Sequence, residues 1–317
     1  MVGGMMMKVH KKRKSFRRYS LNDRIFLSFI YTVLAVYFLI MLYPLVYVVS
    51  ASFSDPNAVA GGEMILWPVR PSLRAYEYIF NYSEIWTGYA NTIFYTVAGT
   101  SLNLLFTLPC AYMLSRKDVV GRGIIMTFFV ITMYISGGLV PSYLNLNELG
   151  LLNTRWALLL PGVVSAYNLI VARTFFANTI SWELHEAAFL DGCSDFRLFT
   201  KIILPLSSPI IVVLMLYYGV GHWNAYFNAL IYLQDRELYP LQTFLREILT
   251  IGRFAAQAMQ DGGAFTAEEM RAFAEEAETA NMIKYGIIVI STAPMLAVYP
   301  FLQKYFAKGV MIGSVKG

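Results

Sequence analysis

The chain has 317 residues, of which 57% are hydrophobic and only 14% are charged. A soluble domain is typically about 45–50% apolar and about 25% charged, so this composition excludes an ordinary soluble enzyme. The two cysteines, Cys110 and Cys193, are too few for a disulfide framework or a cysteine-based metal site.

Six long apolar stretches predict transmembrane helices. They lie at about 25–52, 88–114, 124–144, 156–176, 206–233 and 285–303. Each is long enough to cross roughly 30 Å of hydrocarbon as a helix. The first stretch is too long for the core of a cleaved signal peptide, which spans about 7–15 residues, so we expect it to be retained. The sequence therefore predicts an all-α, polytopic membrane protein.

The distribution of charge predicts the orientation. Six spans put both ends of the chain on one side, and that side holds 17 of the 25 Lys and Arg residues. Because an excess of basic residues marks the cytoplasmic side, we expect both termini in the cytoplasm of a bacterial plasma (inner) membrane. The predicted organisation is a basic cytoplasmic tail at 1–24, a six-helix transmembrane domain at 25–306 and a cytoplasmic tail at 307–317. The basic tail is expected to set topology rather than to bind nucleic acid.

Ionisable and catalytic groups are scarce in the predicted spans. Apart from Arg173 near the end of the fourth, the spans contain no Asp, Glu, Lys or Arg, and His222 is their only histidine. Ion-driven carriers need ionisable groups at membrane depth, so an ion-coupled sugar carrier is disfavoured. Nucleotide-binding, metalloprotease and nucleophile-elbow motifs do not occur. We therefore expect no catalytic residue, no metal site and no cofactor bound by this chain, and an energy source on a partner.

An alternative of another class is a membrane enzyme acting on glycans. It would need a group of carboxylates at one membrane face. Glu275, Glu276 and Glu278 are close in sequence, but their spacing is typical of the solvated face of a helix. The enzyme alternative is therefore disfavoured.

The polar segment at 181–205 predicts a bent hairpin between the fourth and fifth spans. A short helix can begin at Ser181 and end at Gly192 in a left-handed turn, and a second helix can begin at Ser194. Small, apolar and acidic residues on the first helix suit contact with another protein. An isolated helix of two turns is not stable alone, so this one must pack on its own spans, on a partner, or on both.

This segment resembles the EAA loop of permease subunits of binding-protein-dependent ABC importers. Glu186-Ala187-Ala188 is followed by three residues, Gly192, nine residues, Ile202, one residue and Leu204-Pro205. The resemblance implies that these residues couple the permease to an ATPase. The implied coupling residues are Glu186, Ala187, Ala188, Phe189, Leu190, Asp191, Gly192, Ile202, Leu204 and Pro205. The last residues, 308–317, are similar to the tail of maltose-type permeases.

The resemblance covers the chain from the first span to the tail and points to the oligosaccharide and polysaccharide-fragment branch of carbohydrate permeases. It implies the type I importer (MetI-like) fold, a second homologous permease, a cytoplasmic ABC ATPase dimer that binds ATP and Mg²⁺, and an extracytoplasmic solute-binding protein. A heterodimer of permeases is expected, with a homodimer left open. The chain itself would not be an enzyme. Both a neutral oligosaccharide and an anionic uronate fragment, as from alginate or pectin, are compatible with the sequence.

A sugar path needs aromatic faces and hydrogen-bonding groups. Candidates on the fourth and fifth spans are Tyr167, Asn168, Tyr217, Tyr218, His222, Trp223, Asn224, Tyr226 and Asn228. For each of them a packing role is the alternative.

The long loop at 234–284 is expected on the extracytoplasmic side. One helix is predicted at 238–249, and Thr266 with Glu269 forms a capping box that opens a second. Met270, Phe273, Ala274 and Ala277 would share one face of that helix. We expect this loop to receive the binding protein or to cover the mouth of the path.

Overall fold

The computed structural model describes residues 20–261 and 266–313, and every regular element in those residues is helical. The α-helices are α1 (Leu21–Ser52), α2 (Pro56–Ala60), α3 (Arg74–Asn81), α4 (Ser83–Ser115), α5 (Arg122–Tyr134), α6 (Leu139–Glu148), α7 (Trp156–Leu159), α8 (Ala166–Thr179), α9 (Trp182–Leu190), α10 (Asp195–Leu198), α11 (Leu204–Leu206), α12 (Ser208–Trp223), α13 (Phe227–Tyr232), α14 (Leu241–Asp261) and α15 (Ala267–Gly313). A π-helical turn spans Phe199–Ile203 and a 3-10 turn spans Arg236–Leu238. The predicted all-α class is confirmed.

Two of the predicted regions extend beyond these residues. Most of the basic tail at 1–24, and the last four residues of the C-terminal tail, lie outside the described part of the chain. Their predicted roles stay predictions.

The number of spans differs from the prediction. Over residues 20–261 and 266–313, three single helices, α1, α4 and α15, are long and apolar enough to cross a membrane. Two bent pairs raise the number to five: α5 with α6, at 116°, and the segment from Asp195 to Leu206 with α12, at 80°. In the described part of the chain, the predicted number of six spans is therefore not exactly confirmed.

Glycine and proline explain the two largest departures. The predicted span at 124–144 breaks between α5 and α6, where Gly138 has a φ of 88° that only glycine adopts readily. The predicted span at 156–176 is interrupted after α7 by Pro161 and Gly162, so α8 has only 14 residues.

The predicted second helix of the long loop and the last span form a single helix. The capping box is present as expected: the Glu269 N–H donates to Thr266 Oγ1 at 3.2 Å, and the Thr266 N–H donates to Glu269 Oε2 at 2.8 Å. From there α15 continues for 47 residues, because no helix-breaking turn separates the polar and the apolar parts. The other predicted helix of the loop is α14, which begins at Leu241 and is longer than expected.

Two apolar clusters lie at opposite ends of α4. Ile85, near its start, packs with α3, α14 and α15, whereas Leu114, near its end, packs with α8, α9, α10 and α12. Because α4 has 33 residues, it is about 50 Å long. The hairpin of α9 and α10 is therefore on the opposite face of the protein from α3 and α14.

Candidate functional site

The helix α9 carries the EAA residues and has two unlike faces. His185 and Ala188 are buried, at 4% and 6% exposure, whereas Leu190 is 88% and Phe189 is 42% exposed. Glu186 is also exposed. The inner face packs α9 against the core, and the outer face exposes apolar and acidic side chains to solvent. Ala188 therefore packs against the protein's own core, and its implied part in coupling stays a prediction.

The turn after α9 has the predicted geometry. Gly192 has a φ of 70°, and its N–H donates to the Phe189 carbonyl at 3.0 Å. Ser194 begins the second helix, and its hydroxyl accepts from the Arg197 N–H at 3.4 Å. The hairpin thus reverses at a residue that has no side chain to strain the left-handed backbone.

The N-terminus of α9 is capped differently from the prediction. Ser181 occupies the N-cap position, but its side chain makes no capping hydrogen bond to the helix backbone. Glu183, in the first turn, takes that role: hydrogen bonds from its own backbone N–H and from the Ser181 side chain lower the pKa of its carboxyl group. A carboxylate at this end also suits the positive end of the helix dipole.

A stack of three rings holds α9 against the end of α4. The His185 ring lies between Trp182 and Tyr112, with centroid distances of 5.1 Å and 5.8 Å. Its Nδ1 is 3.2 Å from the Ser181 carbonyl. Because Tyr112 belongs to α4, this stack joins the hairpin of α9 and α10 to a membrane-spanning helix.

The second half of the EAA pattern lies at the base of the hairpin. Ile202 and Leu204 are half-buried and pack against the large core cluster, whereas Pro205 is exposed. The chain then bends by 80° into α12 near Ser207, whose N–H donates to the Ile203 carbonyl at 3.0 Å. The hairpin and α12 therefore share one packed core.

Arg116 is a residue of this region that the sequence analysis did not single out. It directly follows α4, and its guanidinium bonds the carboxylates of Asp118 and Asp195. It also lies 5.7 Å from the centroid of the Phe189 ring. The hydrogen bond from Arg116 holds the pKa of the Asp118 carboxyl below its ordinary value. A single arginine in a short loop carries no periodic signal, so only the folded structure reveals that Arg116 bonds two carboxylates.

A cavity of about 330 Å³ lies between α4, α8 and α12, and five of the predicted path residues line it. Those five are Asn168, Tyr217, Tyr218, His222 and Asn228. Further lining residues are Tyr95, Asn103, Leu158, Pro161, Gly162, Ser165, Gly221, Ala225 and Pro240. The lining contains amides, hydroxyls and aromatic rings but no Asp, Glu, Lys or Arg, a surface suited to an oligosaccharide.

Hydrogen bonds from α4 fix the polar groups of the cavity. The Asn103 amide donates to the Val163 carbonyl at 2.7 Å, so its Oδ1 faces the His222 Nε2, also at 2.7 Å. The Tyr218 hydroxyl lies 2.8 Å from Thr107 Oγ1 and accepts from the Ser165 N–H at 3.2 Å. Asn103 is thus a central residue of the site. Sequence reasoning missed it because a lone amide in an apolar span does not reveal its partners.

Trp223 and Asn224 do not line this cavity. Trp223 is buried against α15, and its indole N–H donates to the Ser291 carbonyl at 2.9 Å. Asn224 donates to the Val220 carbonyl of its own helix at 2.9 Å. Successive helical residues are rotated by about 100°, so the residue after His222 points toward a different neighbour.

The last two candidates lie beside the cavity. Tyr167 is 55% exposed, and its ring centroid is 6.3 Å from that of Tyr217. Tyr226 lies 5.7 Å below the guanidinium of Arg246. Neither ring is part of the cavity lining.

Two known proteins similar in sequence are named as permeases. The polygalacturonan/rhamnogalacturonan transport system permease protein YtcP of Bacillus subtilis (strain 168) is 40% identical over 297 residues, which is 94% of this chain and 100% of that protein. The arabinooligosaccharides transport system permease protein AraQ of Halalkalibacterium halodurans is 26% identical over 283 residues, covering 88% of this chain and 92% of that protein. No protein-family model matches the chain.

A solved structure agrees with these relatives. The crystal structure of a bacterial ABC transporter involved in the import of the acidic polysaccharide alginate contains a chain that matches with a TM-score of 0.78 and 34% identity. The match covers 91% of this chain and 99% of that one. The protein therefore belongs to the family of permease subunits of sugar and oligosaccharide ABC importers, as the EAA pattern predicted. It is a multi-pass inner-membrane component of a transport system.

Proposed function

We propose that this chain imports oligosaccharides as one of two permease subunits, with ATP hydrolysed on a separate cytoplasmic ATPase dimer that docks on α9. The observation that carries the proposal is the division of α9 into a buried face and a bare face. Leu190 and Phe189 expose apolar area next to Glu186, which is the composition expected of a surface that a partner covers. ATP and Mg²⁺ would be bound by that partner and not by this chain.

The connection from α9 to the cavity supports a coupling mechanism. The inner face of α9 packs in the same cluster as α4, α8 and α12, and those three helices carry the polar lining of the cavity. Closely packed cores transmit displacement as a unit. A movement of α9 on ATP binding would therefore shift the cavity walls, opening the cavity to the outside, and ADP release would reverse it.

The charge pattern supports the orientation. The face that carries α9 holds 17 of the 25 basic residues on the predicted topology, so this face and both termini are assigned to the cytoplasm. The opposite face, with α3, α14 and the first part of α15, then receives an extracytoplasmic binding protein. The second permease is proposed to be homologous but different, which would allow the two halves of the path to differ.

The names of the relatives support an acidic cargo. YtcP is named for polygalacturonan and rhamnogalacturonan, and the alginate transporter for an acidic polysaccharide. We extend this to the chain as a proposal that its cargo is an oligosaccharide of uronic acids. The uncharged lining of the cavity is compatible with the hydroxyl-rich faces of such sugars.

A crosslinking experiment tests the docking of the ATPase. In a Cys193→Ser background, Leu190→Cys should form a crosslink to the ATPase subunit when a short bifunctional reagent is added to membranes containing the whole complex. Ala188→Cys is the matched control, since Ala188 is buried and should give no product. Equal products from both positions, or none from Leu190→Cys in a complex that hydrolyses ATP, would contradict the assignment.

Charge reversal at Glu186 tests the coupling itself. We expect Glu186→Lys to abolish sugar-stimulated ATP hydrolysis while the subunit still inserts in the membrane, because the residue is exposed and contributes nothing to the core. Unaltered hydrolysis and uptake in the variant would exclude Glu186 from the contact.

A further inference from the structure

Arg155 holds a guanidinium at a fixed place on the face opposite α9. It directly precedes α7 and lies 4.6 Å above the centroid of the Phe94 ring. Its Nη2 donates to Asn91 Oδ1 at 3.3 Å. Asn91 is itself buried, and its amide donates to the carbonyls of Glu237 and Tyr239. The arginine is therefore seated by a ring and an amide, both supplied by α4.

Arg155 is not part of the cavity lining, but it lies beside residues that are. Leu158, three residues further along the chain, and Tyr95, next to Phe94, both line the cavity. The Phe94 ring, over which the guanidinium lies, has its centroid 5.7 Å from that of Tyr95. Because the lining contains no Asp, Glu, Lys or Arg, Arg155 places a positive charge beside an otherwise neutral polar space.

In the described part of the chain, Arg155 has no carboxylate partner, in contrast to two other arginines on this face. Arg236 bonds Glu84 and Glu247, and Arg70 bonds Glu63. Within residues 20–261 and 266–313, no carboxylate lies within ion-pair distance of Arg155. The residue is also exposed, so most of its donors remain available to a ligand.

A guanidinium of this kind suits a carboxylate. Its planar fork donates two parallel N–H bonds to carboxylate oxygens, and the charge strengthens both. We propose that Arg155 is a specificity residue of the import path that binds the carboxylate of a uronate unit as the oligosaccharide enters the cavity. This inference rests on the proposed function, because it assumes that the cavity is this chain's share of the sugar path.

The test uses the whole importer in proteoliposomes that contain ATP, with this chain, its partner permease, the ATPase and the binding protein. Two cargos of equal length are compared: trigalacturonate and its neutral methyl ester. The variants are Arg155→Gln, which removes the charge, and Arg155→Lys, which keeps it. Arg70→Gln is the matched control, since it removes a positive charge from the same face at a residue paired with Glu63.

We expect Arg155→Gln to lower trigalacturonate uptake on the order of tenfold, the effect of losing a charge-assisted hydrogen bond. Uptake of the ester should fall by much less. Arg155→Lys keeps the charge but lacks the planar fork, so it should recover only part of the loss. Arg70→Gln should change neither rate by more than about twofold, as for an exposed ion pair. If the binding protein delivers only trigalacturonate, uptake of the ester cannot be compared. The difference in trigalacturonate uptake between Arg155→Gln and Arg155→Lys then decides whether the charge is needed.

Two results would overturn the inference: equal losses for both cargos, or no loss of anion uptake in Arg155→Gln. A wild-type complex that carries the ester but not the anion would also overturn it, while leaving oligosaccharide import intact. A wild-type complex that hydrolyses ATP yet carries neither cargo would instead refute the proposed function, and the inference with it.

Discussion

Arg116, the residue after α4, bonds the carboxylate of Asp195 at the start of α10. The two residues are far apart in sequence, and the ion pair joins the end of a membrane-spanning helix directly to the hairpin of α9 and α10. The Arg116 side chain is only 11% exposed, whereas that of Asp195 is 64% exposed, so the contact is shielded from solvent on the arginine side alone. Besides the shared apolar core, this arginine and the ring stack at His185 therefore connect the hairpin to α4.

Loss of Arg116 should uncouple hydrolysis from transport. Arg116→Gln removes the charge that Asp118 and Asp195 share, and we expect the amount of sugar imported per ATP to fall on the order of tenfold, as for a partly buried charged hydrogen bond. The measurement is uptake and hydrolysis in the same proteoliposomes. Lys117→Gln, at the exposed neighbouring residue, is the control and should keep the wild-type ratio.

The contact between Arg116 and Asp118 also predicts how the ratio of uptake to hydrolysis depends on pH. Arg116 lowers the pKa of Asp118, so the stabilising contribution of this contact is present above the ordinary Asp pKa of about 3.9 and is lost as the pH falls through the lowered value. Between about pH 5 and 8 the ratio of uptake to hydrolysis should therefore not vary through Asp118. Asp118→Asn imitates the protonated form, and it should reproduce part of the Arg116→Gln defect at neutral pH. A wild-type ratio in Asp118→Asn would show that Asp195 alone holds the arginine.

Gly192 allows a test of the hairpin turn. A Cβ at this position would meet no atom within 4 Å, so a substitution strains only the backbone, whose φ is 70°. We expect Gly192→Val to reduce sugar-stimulated hydrolysis at least fivefold, since a left-handed conformation costs a residue with a side chain about 1–2 kcal/mol and a β-branched one more. Gly192→Asn, which tolerates this conformation, should retain most of the activity. Equal activity in both variants would mean that the turn geometry is not needed.

The sequence predicted the parts of this fold that depend on local chemistry. The left-handed end at Gly192, the capping box of Thr266 and Glu269, and the helical class all follow from neighbouring residues. The break between α5 and α6 was missed because the mean hydropathy of the segment is little changed by a pair of glycines. An apolar segment has the same hydropathy whether its helix is straight or bent.

The site shows the same limit. The EAA pattern located α9, but it could not say that Ala188 faces inward, because the orientation of a short helix depends on the core beneath it. Arg116, Asn103 and Arg155 act through partners that are distant in the chain. Such contacts exist only after folding, so spacing and composition carry no trace of them.

Gly99 and His222 make a pair whose coupling can be measured. A Cβ on Gly99 would lie 2.4 Å from His222 Nε2, and its three nearest atoms all belong to that ring. We expect Gly99→Ala to lower stability by about 1–3 kcal/mol, as overpacking does, and to displace the ring from Asn103. Combining it with His222→Ala should cost less than the sum of the two single changes. Thermal unfolding of the detergent-solubilised complex measures all three, and strict additivity would contradict the contact.

Trp223 should prove to be a packing residue and Tyr217 a path residue. Trp223 is 5% exposed and bonds the Ser291 carbonyl of α15, whereas Tyr217 is 43% exposed and lines the cavity. Trp223→Ala should lower the free energy of unfolding by about 3–5 kcal/mol and reduce the yield of assembled complex. Tyr217→Ala should leave the yield unchanged and slow sugar uptake at saturating ATP. The yield is measured as the amount of complex recovered after solubilisation. The uptake rate is measured per amount of complex. A Trp223→Ala complex that assembles normally but imports slowly would instead place that ring on the sugar path.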